Sequence, residues 1–139
     1  MTTHRIIFIS ETTVYLSEQA LAVLLGQARA EHQRAGLTGF LLYHEGRILQ
    51  VLEGEEMLLH EFFARIARDP RHGKLQILAD GPKLRRYFSD WHMSFARTAA
   101  APDAPTNYLP LPELLAIVKD TPVQQLLEEF LAESDVPLR

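Results

Sequence analysis

Seven side chains of this 139-residue chain have types that invite chemistry: six histidines, at 4, 32, 44, 60, 72 and 92, and one amide, Gln50, set in the apolar run Ile48-Leu49-Gln50-Val51-Leu52. A histidine can move a proton near neutral pH, ligate a metal or offer one ring nitrogen to a ligand. No two of the six stand at a helical metal spacing, and no carboxylates gather around them along the sequence, so no metal site is expected. The chain has no cysteine, which removes disulfides, thiolate metal sites and cysteine nucleophiles in one step. No P-loop, dinucleotide fingerprint, H-E-x-x-H or G-x-S-x-G run occurs. Ser10, His32 and an acid are the side-chain types of a hydrolytic triad, but nothing supplies the strand-to-helix elbow such a serine needs. No catalytic residue and no enzyme are expected.

Gln50 is different, because its surroundings are apolar on both sides. An amide carries two donors and two acceptor lone pairs. Burying it unmet costs about 1–3 kcal/mol, so something must meet it. Nearby backbone or a core water could do so, and so could a bound ligand. The residues alone leave both open.

Periodicity gives the elements that position these groups. Residues 5–10, RIIFIS, read as a strand with Ile6, Phe8 and Ser10 on one face and Ile7 and Ile9 on the other. Ser17 is a plausible N-cap and Gly36 a C′ stop for a helix of about 18–35. Its face Leu21, Leu24, Leu25, Ala28, His32 and Ala35 turns His32 toward the sheet. That histidine is either a satisfied core-edge residue or a nitrogen offered to a ligand between helix and sheet. Strands at about 38–43 and 47–53 flank the turn His44-Glu45-Gly46. A second helix over 55–68 carries Leu58 or Leu59, Phe62, Phe63 and Ile66 inward, and Asp69-Pro70 ends it. KLQILA reads as a fourth strand, Gly81-Pro82 as a turn, and the segment around Trp91-His92-Met93 as a fifth strand.

The order β-α-β-β-α-β-β is that of an α+β, ferredoxin-like sheet with both helices on one face. The opposite face, with Ile7, Ile9, Leu49 and Val51, then lacks a cover. After a Pro/Ala-rich linker, Ala99 to Asn107, two short helices over 111–119 and 122–133 are expected to supply it. Leu114, Leu115, Ile117 and Val118 would line the first, and Val123, Leu126, Leu127, Phe130 and Leu131 the second. The alternative is that they form a partner surface. The domain division is therefore 1–98 for the sheet domain and 99–139 for linker and extension.

Composition narrows the function classes. With 47% hydrophobic and 23% charged residues and a net charge of −4, this is an ordinary globular chain without a basic field for nucleic acid or anionic membrane. Only Lys83, Arg85 and Arg86 cluster among the cations. No run approaches the ~20 residues of a membrane span, and MTTHRIIFIS lacks a secretory layout, so the cytoplasm is the expected compartment.

Several short pieces, in order, resemble the BLUF family of blue-light sensors that use FAD. They are Phe8-Ile9-Ser10, the run from Ala35 to Tyr43, Leu49-Gln50-Val51-Leu52-Glu53-Gly54, Asp69-Pro70-Arg71-His72 and Trp91-His92-Met93. The likeness covers about residues 5–97. It implies an isoalloxazine ring between the first two helices, with Gln50 beside flavin N5 and C4=O. Phe8, Ser10, Leu24, His32 and Ile66 fall in the implied cofactor pocket. The resemblance places Arg65 and Asp69 at the ring edge, with Arg71 and His72 near them. It gives Trp91 and Met93 the role of signalling partners of Gln50, against a plainer role in core packing.

Two departures accompany the matches. The family has a tyrosine where this chain has Phe8, and an asparagine where it has His32. That tyrosine is the family's electron and proton donor and fixes the glutamine's orientation, so the usual photocycle cannot run through Phe8. A missing neutral hydrogen bond is worth about 0.5–1.5 kcal/mol, which weakens binding without emptying a pocket built around a large ring. Two readings follow. One is a flavoprotein with an impaired or atypical photocycle, with Trp91 as the substitute donor. The other is a flavin-free interaction module derived from the family. Either would act through protein–protein interaction, as a homo-oligomer or with a downstream partner, because the chain ends at Arg139.

Overall fold

The computed structural model describes residues 3–12, 30–44, 46–70, 72–95 and 110–133. Ser17, residues 18–29 of the expected first helix with Leu21, Leu24, Leu25 and Ala28, Glu45, Arg71 and the linker Ala99–Asn107, all singled out above, lie outside the described residues. Five strands, β1 (Thr3–Thr12), β2 (Thr38–His44), β3 (Arg47–Gly54), β4 (His72–Lys83) and β5 (Trp91–Phe95), form one sheet in the order β4-β1-β3-β2-β5. Every pairing is antiparallel except β2 with β5. The sheet is the ferredoxin-like one with a fifth strand added beside β2.

The helices are α1 (described over 30–35), α2 (Glu56–Arg68), α3 (Leu111–Ile117) and α4 (Thr121–Glu133). Gly36, at φ 70°, ends α1 in a Schellman turn: Leu37 N–H donates to His32 C=O at 2.8 Å and Gly36 N–H to Gln33 C=O at 3.2 Å. α2 carries Glu56 in its first turn and Arg65 and Arg68 in its last, as the helix dipole favours. Asp69 closes it in extended backbone ahead of Pro70.

Strand alternation separates two cores. Ile6, Phe8, Leu41, Ile48 and Leu52 pack with Leu59, Phe62 and Trp91 on the side of α1 and α2. Ile7, Phe40, Leu42, Leu49 and Val51 pack on the other side with Leu114, Val118, Val123, Leu127, Phe130 and Leu131 of the C-terminal segment. The last two helices therefore cover the second face of the sheet.

Two local expectations need correction. Gly81-Pro82 does not turn the chain; β4 runs through it to Lys83, with Pro82 opposite His4. β4 is an edge strand, so proline's missing N–H costs no ladder bond on its outer side. Leu115 and Ile117 do not line α3's inner face but are 38% and 43% exposed. With seven residues α3 makes only two turns, and its inward contacts come from Leu111 and Leu114, followed by the C-cap Val118. Among the described residues no helix is long and apolar enough to cross a membrane.

Candidate functional site

The helix-covered core contains polar groups that its neighbours do not satisfy. Gln50 points into it from the middle strand, opposite Phe8 of β1 and Leu41 of β2, and is 3% exposed. Phe8 is fully buried and meets Phe63 of α2 edge-on, ring centroids 5.2 Å apart. Across from them the Schellman turn fixes the last turn of α1 and drives His32 inward. The His32 ring stands 4.6 Å from Phe62 and 4.9 Å from Trp91, centroid to centroid.

Among the described residues, His32 Nδ1, His32 Nε2 and Trp91 Nε1 are buried without a hydrogen-bond partner. Such groups are nearly always paired in folded proteins, and each left unmet costs about 1–3 kcal/mol. Three unmet ring nitrogens, on two side chains whose rings stand 4.9 Å apart, leave hydrogen-bonding capacity that a polar, planar guest would take up.

Electrostatics keep the imidazole neutral. Burial, and then the nearby Arg65 cation, lower the His32 pKa to about 4. At neutral pH the ring thus offers one donor and one acceptor and no charge. Arg65 itself is outward: its guanidinium lies 6.0 Å from the Phe62 ring centroid and 3.8 Å from Glu31 Oε2, bridging α2 to α1.

The remaining expected residues are distributed around this centre. Ile66 packs against the same core, and Asp69, the C-cap of α2, follows four residues after Arg65. Ser10 is buried at the far end of β1 and also borders a depression of about 300 Å³ with Glu11, Arg47, Lys74 and Gln76. His72 opens β4 opposite Thr12, and Met93 stands opposite Leu41 in β5; the structure describes their backbones only.

One member was missed. Glu53, fully buried two residues after Val51, accepts hydrogen bonds from Arg5 Nε and Nη2 at 3.1 and 2.9 Å and from the Tyr87 and Phe88 N–H groups at 2.7 and 2.8 Å. It pins the segment that leads into Trp91. Its signal was a lone carboxylate inside an apolar strand, the same kind of anomaly as Gln50. The absence of gathered metal-ligand types also fails in space, since His4, Glu56 and His60 converge.

The sheet with helices on one face and unpaired ring nitrogens beneath them is of the α+β, ferredoxin-like class. The chain belongs to the BLUF family: the sequence model for BLUF, sensors of blue-light using FAD, matches residues 3–94. It is 36% identical over 91 residues to the photoactivated adenylate cyclase subunit beta of Euglena gracilis. That match takes in 64% of this chain and 11% of the relative, so the chain spans about a tenth of the curated relatives it matches. Among solved structures, the dark state of BlrB, a BLUF protein, superposes with a TM-score of 0.63 at 25% identity, over 90% of this chain and 83% of that one. Klebsiella pneumoniae BlrP1 with FMN and cyclic diGMP gives a TM-score of 0.73 at 26% identity, over 94% of this chain and 34% of that one.

Proposed function

We propose that this chain is a flavin-binding blue-light sensor whose photocycle is impaired or atypical, and that it signals through protein–protein contacts without enzymatic activity of its own. The supporting observation is the set of unpartnered nitrogens of His32 and Trp91 in the same core into which Gln50 is buried. The residues present fit the edge of an isoalloxazine, which alternates donors and acceptors and would be held by Gln50, His32 and Trp91 with Phe8, Leu24 and Ile66 as apolar walls. Arg65, Asp69, Arg71 and His72 would line the outer rim, and Met93 would share the strand of Trp91. When bound, FAD supplies the absorption of blue light; the protein supplies orientation and exclusion of water.

Phe8 changes what the protein can do with that cofactor. It has no hydroxyl proton to give and no lone pair to hold the Gln50 amide in one orientation. With the cofactor in place, the amide's orientation would have to be set by the flavin edge together with Trp91 Nε1 and a neutral His32 ring, whose nitrogens have no other hydrogen-bond partner among the described residues. The sensing unit would comprise residues 1–98, with 99–139 as linker and helical extension. Output would be a change of assembly, in a cytoplasmic homo-oligomer or with a downstream protein.

A second reading has its own observation. His32 packs within 5 Å of both Phe62 and Trp91, so the ring itself could close the pocket in a flavin-free interaction module. Spectroscopy separates the two. The first expects yellow protein on purification or FAD reconstitution, with little light-induced red shift, and a reversible red shift restored by Phe8→Tyr with His32→Asn. Protein that stays colourless in both forms would leave only the interaction module. Sedimentation velocity in darkness and under blue light tests the change of assembly.

A further inference from the structure

On the same side of the sheet, but built from other residues, four metal-ligating side chains from three elements meet. His4 comes from the start of β1, Asp80 from β4, and Glu56 and His60 from consecutive turns of α2. We propose that His4, His60 and Asp80, with Glu56 beside them, form a site for a single divalent transition-metal ion of the zinc class, separate from the flavin-type pocket.

The geometry is convergent. Both imidazoles aim Nε2 at one carboxylate: His4 Nε2 hydrogen-bonds Asp80 Oδ1, and His60 Nε2 lies 3.2 Å from each Asp80 oxygen. The two rings stand edge to face, centroids 5.3 Å apart. Glu56 Oε2 lies 4.0 Å from His60 Nδ1, the other nitrogen of that ring, so Glu56 would join the ion only after its own exposed side chain turns. Ligand atoms of His4, Glu56 and His60 all fall within 4.8 Å of one another.

A tetrahedral ion with bonds of about 2.0–2.2 Å needs ligand atoms about 3.3–3.6 Å apart. Rotation of His60 and Glu56, whose side chains are 43% and 63% exposed, closes that difference. The His4 side chain is only 9% exposed and is the fixed corner of the site. Two imidazoles and one or two carboxylates favour zinc, or nickel and copper, over magnesium and calcium, which prefer all-oxygen sets. Ligation through Nε2 would require each ring to carry its one proton on Nδ1, any further proton passing to solvent, and the ion would then clamp α2 to β1 and β4.

The test uses the full-length chain without a histidine tag. Titration with zinc chloride, followed by calorimetry, should saturate at one equivalent. Cobalt(II) in the same protein should develop ligand-field bands that zinc removes. His60→Ala and Asp80→Asn, at partly exposed positions, should each weaken zinc at least about tenfold and abolish the zinc-dependent rise in Tm, whereas His92→Ala should bind as the parent does. Absence of stoichiometric zinc binding by the parent would overturn the proposal. So would parental affinity in both His60→Ala and Asp80→Asn.

Discussion

His32 is an ordinary imidazole placed where water cannot reach it, and its energetics follow from that. In the unfolded chain it titrates near pH 6.5; in the fold its pKa is lowered to about 4 by burial and by Arg65. Between those values the unfolded state binds the proton and the folded state does not, so stability falls as the medium is acidified. The contribution is fully present above pH 6.5 and is lost as pH drops toward 4. Its slope is about 1.4 kcal/mol per pH unit and its total on the order of 3 kcal/mol. Urea denaturation of flavin-free protein at a series of pH values should show this decline, and His32→Asn should lack that component. Equal acid sensitivity in the two proteins would mean that His32 is not held neutral by the fold. Gly39 is a second point at which one atom decides. Its φ is 140°, and a Cβ there would lie 1.9 Å from the Val51 carbonyl oxygen. Gly39→Ala should therefore displace β2 from β3 beside Gln50 and leave little folded protein, read by circular dichroism of the soluble fraction.

At the scale of elements, Glu53 joins parts that sequence order keeps far apart. Arg5 of β1, Glu53 of β3 and Asp120 just before α4 form a buried chain of charges, with Arg5 Nη1 donating to Asp120 Oδ2 at 2.9 Å. Tyr87 extends the same link: its hydroxyl donates to the Ile117 carbonyl at 3.2 Å and accepts the Lys119 N–H. The strand that carries Gln50, the loop before Trp91 and the C-terminal helices are thus mechanically connected. Removing the carboxylate leaves Arg5 under-compensated and two loop N–H groups unpaired. Glu53→Ala should cost about 3–5 kcal/mol, as breaking a buried ion pair from one side typically does. Loss of the half-exposed Arg47–Glu133 contact by Glu133→Ala should cost no more than about 1 kcal/mol. Chemical denaturation of both variants checks the contrast.

For the whole molecule the consequence is a sheet that needs covers on both faces. Deleting residues 110–139 would expose Ile7, Phe40, Leu42, Leu49 and Val51 together. An apolar patch of that extent drives association. The truncated chain should elute from size exclusion as a large aggregate; a well-behaved monomer would show that α3 and α4 are dispensable to the fold.

Local chemistry was enough to read the strands, the stop of α1 at Gly36, the inward turn of His32 and the anomaly of Gln50, because each rests on a period, a cap or one polar group in an apolar run. It misread Gly81-Pro82, since whether proline ends a strand depends on whether that strand is an edge. It placed Leu115 and Ile117 inward because a two-turn helix gives periodicity too little length to choose a face. The meeting of His4 with His60 and Asp80, and of Glu53 with Arg5 and Tyr87, was decided only by tertiary structure. Sequence spacing sets which face of an element a side chain occupies, but strand order and helix docking set which faces meet.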